Sequence, residues 1–509
     1  MQLPRRDFLR LSATGAGLTI LPSGLRGKSP ERPPNLLFLW TDQQRPDTLG
    51  FLGNRFARTP NLDGLARQSA VFTNTRVVHP VCTPSRGALL SGRWPHQTGV
   101  TANNLPMPSE VPLLPELLKH RDDYATGYMG KWHLGDEVFA QHGFQEWVSI
   151  EDNYERYFSP ARDRSARSSY HHYLVSKGYK PDRSNGTFKR TTACSLPQEH
   201  TKPEFLAREA EAFLRRHRNQ PFVLSVNFLE PHSPYLSVLR QDYDPANCPV
   251  PETFGRDLGA DQPLRYRARQ QADRSQLSSP AALQEINAHY WGLVDQVDRS
   301  IGRILRALEA TGQSDQTVVV FTSDHGDQMG SHGMLGKSVM YEGAVQVPWM
   351  VRAPGLRAHR TPRPVSHIDF LPTVLDLLGA GSHRDLPGRS LRTVLAGENT
   401  PPEPVFIAWS PNPKDRDDAG DAPAAVAGAT EQQLETVRNE STRTVVSPDG
   451  LKLSLRDCDL PTLFDLNRDP HETVNLVGRP DYREPQRALT RKIKQWQEQT
   501  GDRLALSPD

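Results

Sequence analysis

The chain has 509 residues, 24% of them charged and 36% hydrophobic, the composition of a globular protein with room for a large core and more than one domain. Its 61 basic and 59 acidic side chains leave a net charge of +2, which excludes the global positive field of a nucleic-acid binder and still allows a local basic pocket. Cys82, Cys194, Cys248 and Cys458 are too few and too scattered for a disulfide framework or a zinc ribbon, although one Cys194–Cys248 bridge stays open.

The N-terminus, MQLPRRDFLRLSATGAGLTILPSG, sets Arg5 and Arg6 before Phe8, Leu9 and a weakly apolar run to Leu21. It resembles a twin-arginine export signal, with Pro4 where Ser or Thr is usual and Arg10 where Lys is common. The run is short for a bilayer span. Residues 1–33 are therefore expected to be a signal and linker read by the twin-arginine export machinery, placing the mature protein in the periplasm or outside the cell.

NLLFLW, Asn35 to Trp40, is a continuous apolar run suited to a buried parallel strand. TPNLDGLARQSAVF continues as a helix and a strand. PFVLSVNFL (Pro221 to Leu229) and TVVVFTS (Thr317 to Ser323) are two more buried-strand patterns, each preceded by a helical one, PEFLAREAEAFLRRH and AHYWGLVDQVDRSIGRILRALEATG. Strands alternating with helices predict an α/β domain over 34–400, a sheet covered on both faces. The polar, Arg- and Ser-rich stretch 151–200 reads as long surface loops near the substrate, and 410–437 as a loop insertion. From 401 to 509 a smaller α+β subdomain is expected. Its marks are the Pro-Asp-Gly turn of RTVVSPDGLKLSL and the amphipathic helix REPQRALTRKIKQWQEQ.

Each apolar run ends in reactive residues, where open α/β sheets bind ligands. The first ends in Asp42 and Gln43, the second leads to His232, the third to Asp324 and His325. Asp42, Gln43, Asp324 and His325 suit a divalent cation. In CTPSRGALLSGR, Cys82 to Arg93, a thiol opens a helix, Pro84 suits the first turn, and Arg86 follows one turn in. A helix N-terminus with an added guanidinium is a place to hold an anion. In GYMGKWHLG, Lys131 and His133 are two apart and project to one face if the chain is extended. Lys337 lies between Gly336 and Ser338 in a loop able to bring its ammonium to the pocket. His332 is as consistent with ordering that loop as with touching substrate, and Tyr341, Glu342, His367 and Asp369 read as structural.

Cys-x-Pro-Ser-Arg followed by Leu-x-Gly-Arg resembles the maturation signature of the type I, formylglycine-dependent sulfatases, with Ser91 where Thr is more usual. The likeness recurs in the GKWHLG and EPHSP strings and spans most of the chain from Asn35 onward. It implies an alkaline-phosphatase-like fold: a large mixed, mostly parallel sheet sandwiched by helices. It implies oxidation of Cys82 to formylglycine by a separate maturation enzyme, in the cytoplasm, because twin-arginine export carries folded protein. It also implies one metal ion held by Asp42, Gln43, Asp324, His325 and position 82. Calcium is expected, with manganese or magnesium as alternatives, since Gln43 and His325 stand where the family often has Asp and Asn.

The reaction so implied is hydrolysis of a sulfate monoester. A hydroxyl of the hydrated aldehyde attacks sulfur, Arg86, Lys131 and Lys337 neutralise the sulfate oxygens, and His232 protonates the leaving alcohol. His133 then takes a proton from the second hydroxyl and sulfate departs. An extracellular sulfated carbohydrate is the expected substrate. The alternatives are a phosphonate monoester or phosphodiester hydrolase of the same superfamily, and a catalytically silent polyanion-binding protein.

Overall fold

A computed structural model describes residues 32–381, 383–411 and 425–507. The proposed export signal lies outside these, as does the centre of the predicted 410–437 insertion. Among the described residues, no helix is long and apolar enough to cross a membrane.

The larger sheet has eight strands: β1 (Asn35–Asp42), β2 (Ala70–Arg76), β3 (Ala125–Gly130), β4 (Glu146–Ser149), β5 (Phe222–Pro231), β6 (Thr317–Ser323), β7 (Gln346–Arg352) and β8 (His359–Ser366). They lie in the order β4-β3-β5-β1-β6-β7-β2-β8. The first five in that order are mutually parallel. β7 runs antiparallel to both its neighbours, and β2 and β8 pair in parallel. The sheet is thus mixed and mostly parallel, as expected.

The continuous apolar runs follow from burial on both faces. Leu37 and Leu39 of β1 join a core with Phe205 and Phe213 of the helix Lys202–Arg216 and Ile301 and Ile304 of the helix Pro280–Ala310. Leu36, Phe38 and Trp40 point the other way, into a core with Leu89 and Leu90 of the helix Cys82–Ser91 and Phe370 and Leu371 of the helix Phe370–Leu377. The period-2 alternation of the strand therefore locks the Cys82 helix to one face of the sheet.

A second, antiparallel sheet is ordered β12-β11-β10-β9, from β9 (Val405–Trp409), β10 (Thr442–Val446), β11 (Leu451–Arg456) and β12 (Thr462–Asp465). β10 and β11 form the hairpin expected around Pro448-Asp449-Gly450. Leu489 and Ile493 of the helix Arg483–Thr500 pack on Val445, Leu453 and Leu455. The Ala408 N–H donates to the Val78 carbonyl (2.8 Å), which ties this sheet to the segment leading into Cys82.

Three readings change. The end of the expected 410–437 loop is the helix Glu431–Arg438, whose Leu434 and Val437 are buried. Residues 151–200 are more than surface loops: they carry the helices Ser169–Ser176 and Arg190–Cys194, and Glu151, Ser168 and Thr187 are buried. Buried ion pairs order this stretch, and hydrophobic periodicity cannot report them. Cys194 and Cys248 are both free thiols, so the bridge left open is not formed.

β3 ends at a position that only glycine fits. Gly130 has φ +122°, and a Cβ there would lie 1.8 Å from the Asn227 carbonyl oxygen on β5. Gly130→Ala is expected to destabilise the fold by on the order of 2 kcal/mol or more, read from the urea midpoint, and to displace Lys131, the next residue.

Candidate active site

The rim at the C-terminal ends of β1, β3, β5 and β6 gathers the polar residues. Asp42 ends β1, Lys131 follows β3, His232 follows β5, and Asp324 and His325 follow β6. The reversed β7 completes the arrangement. The connection from β6 begins and ends at this rim, so residues 324–345 fold over it and return Lys337 to the centre. Lys337 Nζ lies 2.9 Å from Cys82 Sγ.

Cys82 is the first residue of its helix. The helix is buried throughout, and its Ser85 hydroxyl donates to the Asp324 carbonyl (2.5 Å). Besides Lys337, the thiol faces His325 Nε2 (3.2 Å), Lys131 Nζ (3.6 Å) and Asp42 Oδ1 (3.7 Å). Burial and Asp42 push the thiol pKa up, but Lys131, Lys337 and His325 outweigh them, leaving it below its ordinary value.

Arg86 holds the two carboxylates together. Its Nε donates to Asp324 Oδ2 (2.9 Å) and its Nη2 to Asp42 Oδ2 (2.8 Å). Nη1 donates to the Lys131 carbonyl (2.7 Å) and to Asn227 Oδ1 (2.9 Å), and the guanidinium lies over the Trp40 ring at 4.8 Å. Arg86, Asp42 and Asp324 are fully buried. Arg86 does not face the sulfate oxygens as expected: its N–H groups are committed to protein acceptors, and they neutralise and aim the carboxylates. Asp42 also accepts from Lys131 Nζ (2.7 Å). Against the cost of burial, Lys131, Arg86 and Lys337 hold its carboxyl well below the usual range.

With their Oδ2 atoms so engaged, both Asp residues turn Oδ1 inward. Asp42, Cys82, Asp324 and His325 each offer a ligand atom, all within 4.8 Å of one another. His325 Nε2 stands 3.7 Å from Asp42 Oδ1 and 3.6 Å from Asp324 Oδ1. Bonds of about 2.3–2.6 Å at right angles place neighbouring ligand atoms about 3.3–3.7 Å apart, so these spacings fit a divalent cation. The remaining expected ligand, Gln43, has φ +69°. Its Oε1 accepts from Lys337 Nζ (3.0 Å), and its Nε2 donates to Tyr235 and Asp327.

His133 reaches the site by another route than expected. The chain leaves the sheet at Gly130, and His133 has φ +59°, so it and Lys131 do not share the face of an extended strand. Glu137, buried, accepts from the N–H groups of Trp132 (2.8 Å) and His133 (2.6 Å) and fixes this turn. The His133 carbonyl accepts from the Thr83 hydroxyl (2.9 Å), one residue past Cys82. His232 Nδ1 contacts the Ser233 carbonyl (2.6 Å). Both imidazoles are held well below their ordinary pKa by burial, then by Lys131 and Arg86 for His133, and by Lys337 for His232. His332 has φ +55° and stacks on Tyr341 at 3.9 Å, while Glu342 pairs with Arg76 and Lys452, in keeping with structural roles.

Asn227 and Glu137 escaped the sequence reading. Asn227 carried a signal, a polar side chain within the otherwise apolar run FVLSVNFL, which must find a partner when buried. Glu137 carried none.

The Sulfatase family model matches residues 34–380. The chain is 27% identical to the ulvan-active sulfatase of Formosa agariphila, over 92% of this chain and 82% of that one. It is 25% identical to the N-acetylglucosamine-6-O-sulfatase of Bacteroides thetaiotaomicron, over 96% and 90%. Among solved structures, the phosphonate monoester hydrolase of Silicibacter pomeroyi shares the fold with TM-score 0.74 at 23% identity, covering 92% of this chain and 96% of that one. A protein solved in complex with its substrate D-glucosamine-2-N,6-O-disulfate shares it with TM-score 0.71 at 21% identity, covering 93% and 99%. These structures share with this chain its fold, a mixed, mostly parallel sheet between helices beside a smaller antiparallel sheet. The chain belongs to the sulfatase family and is an enzyme of sulfate-ester hydrolysis.

The cation site has a direct test. Calcium, manganese and magnesium are added in turn to metal-stripped protein, and the bound ion should raise its stability by about 2.7 kcal/mol at a hundredfold excess over Kd. Asp42→Asn and Asp324→Asn should lose that rise. Melting unaffected by any of the three ions would refute the site.

Proposed function

We propose that this sulfatase removes sulfate from a sulfated carbohydrate outside the cytoplasm, after maturation of Cys82 to formylglycine and export through the twin-arginine route. The observation that carries this reading is the convergence of Lys131 and Lys337 on Cys82 Sγ, beside two carboxylates aimed inward by Arg86. The carbohydrate class is supported by the names of the relatives that act on ulvan and N-acetylglucosamine 6-sulfate.

A divalent cation, calcium by expectation, would be held by Asp42, Gln43, Asp324, His325 and position 82 and would supply positive charge beside the nucleophile. As its hydrate, formylglycine supplies one hydroxyl that attacks sulfur and a second whose deprotonation expels sulfate.

The other steps fall to the chain's own side chains. Lys131 and Lys337 hold the sulfate oxygens; with Arg86 they outnumber the two carboxylates, so the pocket carries net positive charge for an anionic ester. His232 is kept neutral in the free site by burial and by Lys337. A bound sulfate ester offsets that positive charge and lets the imidazole carry the proton that it passes to the departing alcohol. His133, held neutral in the same way, can accept a proton from position 82 as sulfate leaves. Arg86 holds both carboxylates in place throughout.

The test compares defined sulfated mono- and oligosaccharides with 4-nitrophenyl sulfate and a phenyl phosphonate ester. A sulfated sugar is expected to be turned over with the highest kcat/KM. His232→Ala should cost about 10²–10⁴-fold on the sugar, whose alkoxide is a poor leaving group, and far less on the nitrophenyl ester. A phosphonate ester hydrolysed fastest would reverse the assignment.

A further inference from the structure

The His133 ring is gripped on three sides. Its Nε2 lies 2.8 Å from Asn104 Oδ1, and its backbone is fixed by Glu137 and Thr83. Its face lies against Tyr154, ring centres 4.2 Å apart and planes 30° apart. Nδ1 is buried and has no hydrogen-bond partner, so it is the ring atom left to move a proton.

Tyr154 belongs to the polar stretch that periodicity could not interpret, and it is itself tightly held. The Arg190 guanidinium donates to the Tyr154 hydroxyl (2.9 Å) and to Glu151 Oε2 (2.7 Å). Glu151 is buried and also pairs with Lys202, at the start of the helix Lys202–Arg216. Arg190 and Lys202 keep its carboxyl well below the usual range in spite of burial. A chain of fixed contacts thus runs from that helix through Glu151 and Arg190 to the Tyr154 ring and on to the His133 imidazole. Lys131 Nζ stands 6.0 Å from the centre of the same ring.

We propose that Tyr154 is a positioning residue of the sulfatase reaction: its ring sets the plane of the His133 imidazole, and the buried Glu151–Arg190–Lys202 cluster sets Tyr154. This rests on the assignment of His133 as the base. The physical need is plain, because a ring with one anchored nitrogen can still swing about that anchor, and general-base catalysis falls off steeply with misplacement. An aromatic face is suited to stop the swing, since it confines the ring without adding a hydrogen bond that would occupy Nδ1. It also places a function in residues 151–202 that no motif marks.

The test uses the matured enzyme with its metal, and two readouts. Tyr154→Leu should lower kcat about tenfold, a fraction of what a general base contributes, with KM little changed. Tyr154→Phe, which keeps the ring and loses the Arg190 contact, should show a smaller fall in kcat than Tyr154→Leu, similar to that of Arg190→Gln. Diethylpyrocarbonate labelling of the His133 peptide, followed by mass spectrometry, should speed up several-fold in Tyr154→Leu and by less in Tyr154→Phe. Should the Leu variant fail to fold, Arg190→Gln carries the test, with a smaller fall in kcat and faster labelling expected.

In a His133→Ala background, Tyr154→Leu should cost nothing further, because the two act as one unit. Additive losses, or His133 labelling as slow in Tyr154→Leu as in wild type, would overturn the proposal. Wild-type kcat in His133→Ala would instead remove the base assignment. A normal loss in His133→Ala beside wild-type turnover in Tyr154→Leu would refute the positioning role alone.

Discussion

One guanidinium holds the site together. Asp42 and Asp324 arrive on adjacent parallel strands, β1 and β6, and neither touches water. Two ionised carboxylates so placed repel each other, and each has lost its hydration, a cost of several kcal/mol per ion. Arg86 meets both, and its remaining donors bind the Lys131 carbonyl and Asn227. Removing one partner from such a buried cluster typically costs about 3–5 kcal/mol. The same contacts dock the Cys82 helix, so the placement of Cys82 and that of the two carboxylates are one constraint.

That constraint explains why the sheet is mixed. Parallel strands bring Asp42, Lys131, His232 and Asp324 to one rim, but a crossover after β6 would carry the following chain to the far edge. The reversed β7 instead keeps residues 324–345 above the rim. Lys337 returns to Cys82 and Gln43 from that loop. Across the sheet, the connection after β3 turns at Gly130 and supplies Lys131 and His133, with positive φ at Gly130 and His133. Opposite ends of the site are thus supplied by two irregular segments, each held by a buried carboxylate or a glycine.

What the amino-acid order revealed follows from how local each determinant is. The apolar runs of β1, β5 and β6 and the reactive residues at their ends were legible, because burial on both faces writes itself into consecutive positions. The Cys82 helix was legible through Pro84 and the resemblance of its motif. Directions of side chains were harder. Arg86 was expected to face substrate, yet it points to Asp42 and Asp324, a choice decided by strands far away in sequence. Lys131 and His133 were placed on one face by assuming an extended chain; the backbone turn at Gly130 depends on the close Asn227 carbonyl of β5. Glu137 and Glu151 could not be singled out, since a carboxylate in a polar stretch is ordinarily solvated and only the folded neighbours bury it.

The chemistry assigned to position 82 stands or falls on a single covalent change. Peptide mass spectrometry of enzyme produced with a formylglycine-generating partner, set against sulfate release by the same preparations, measures it directly. Aldehyde at position 82, with activity proportional to the aldehyde fraction, is the expected result. Full sulfate release from protein whose Cys82 remains an intact thiol would contradict it.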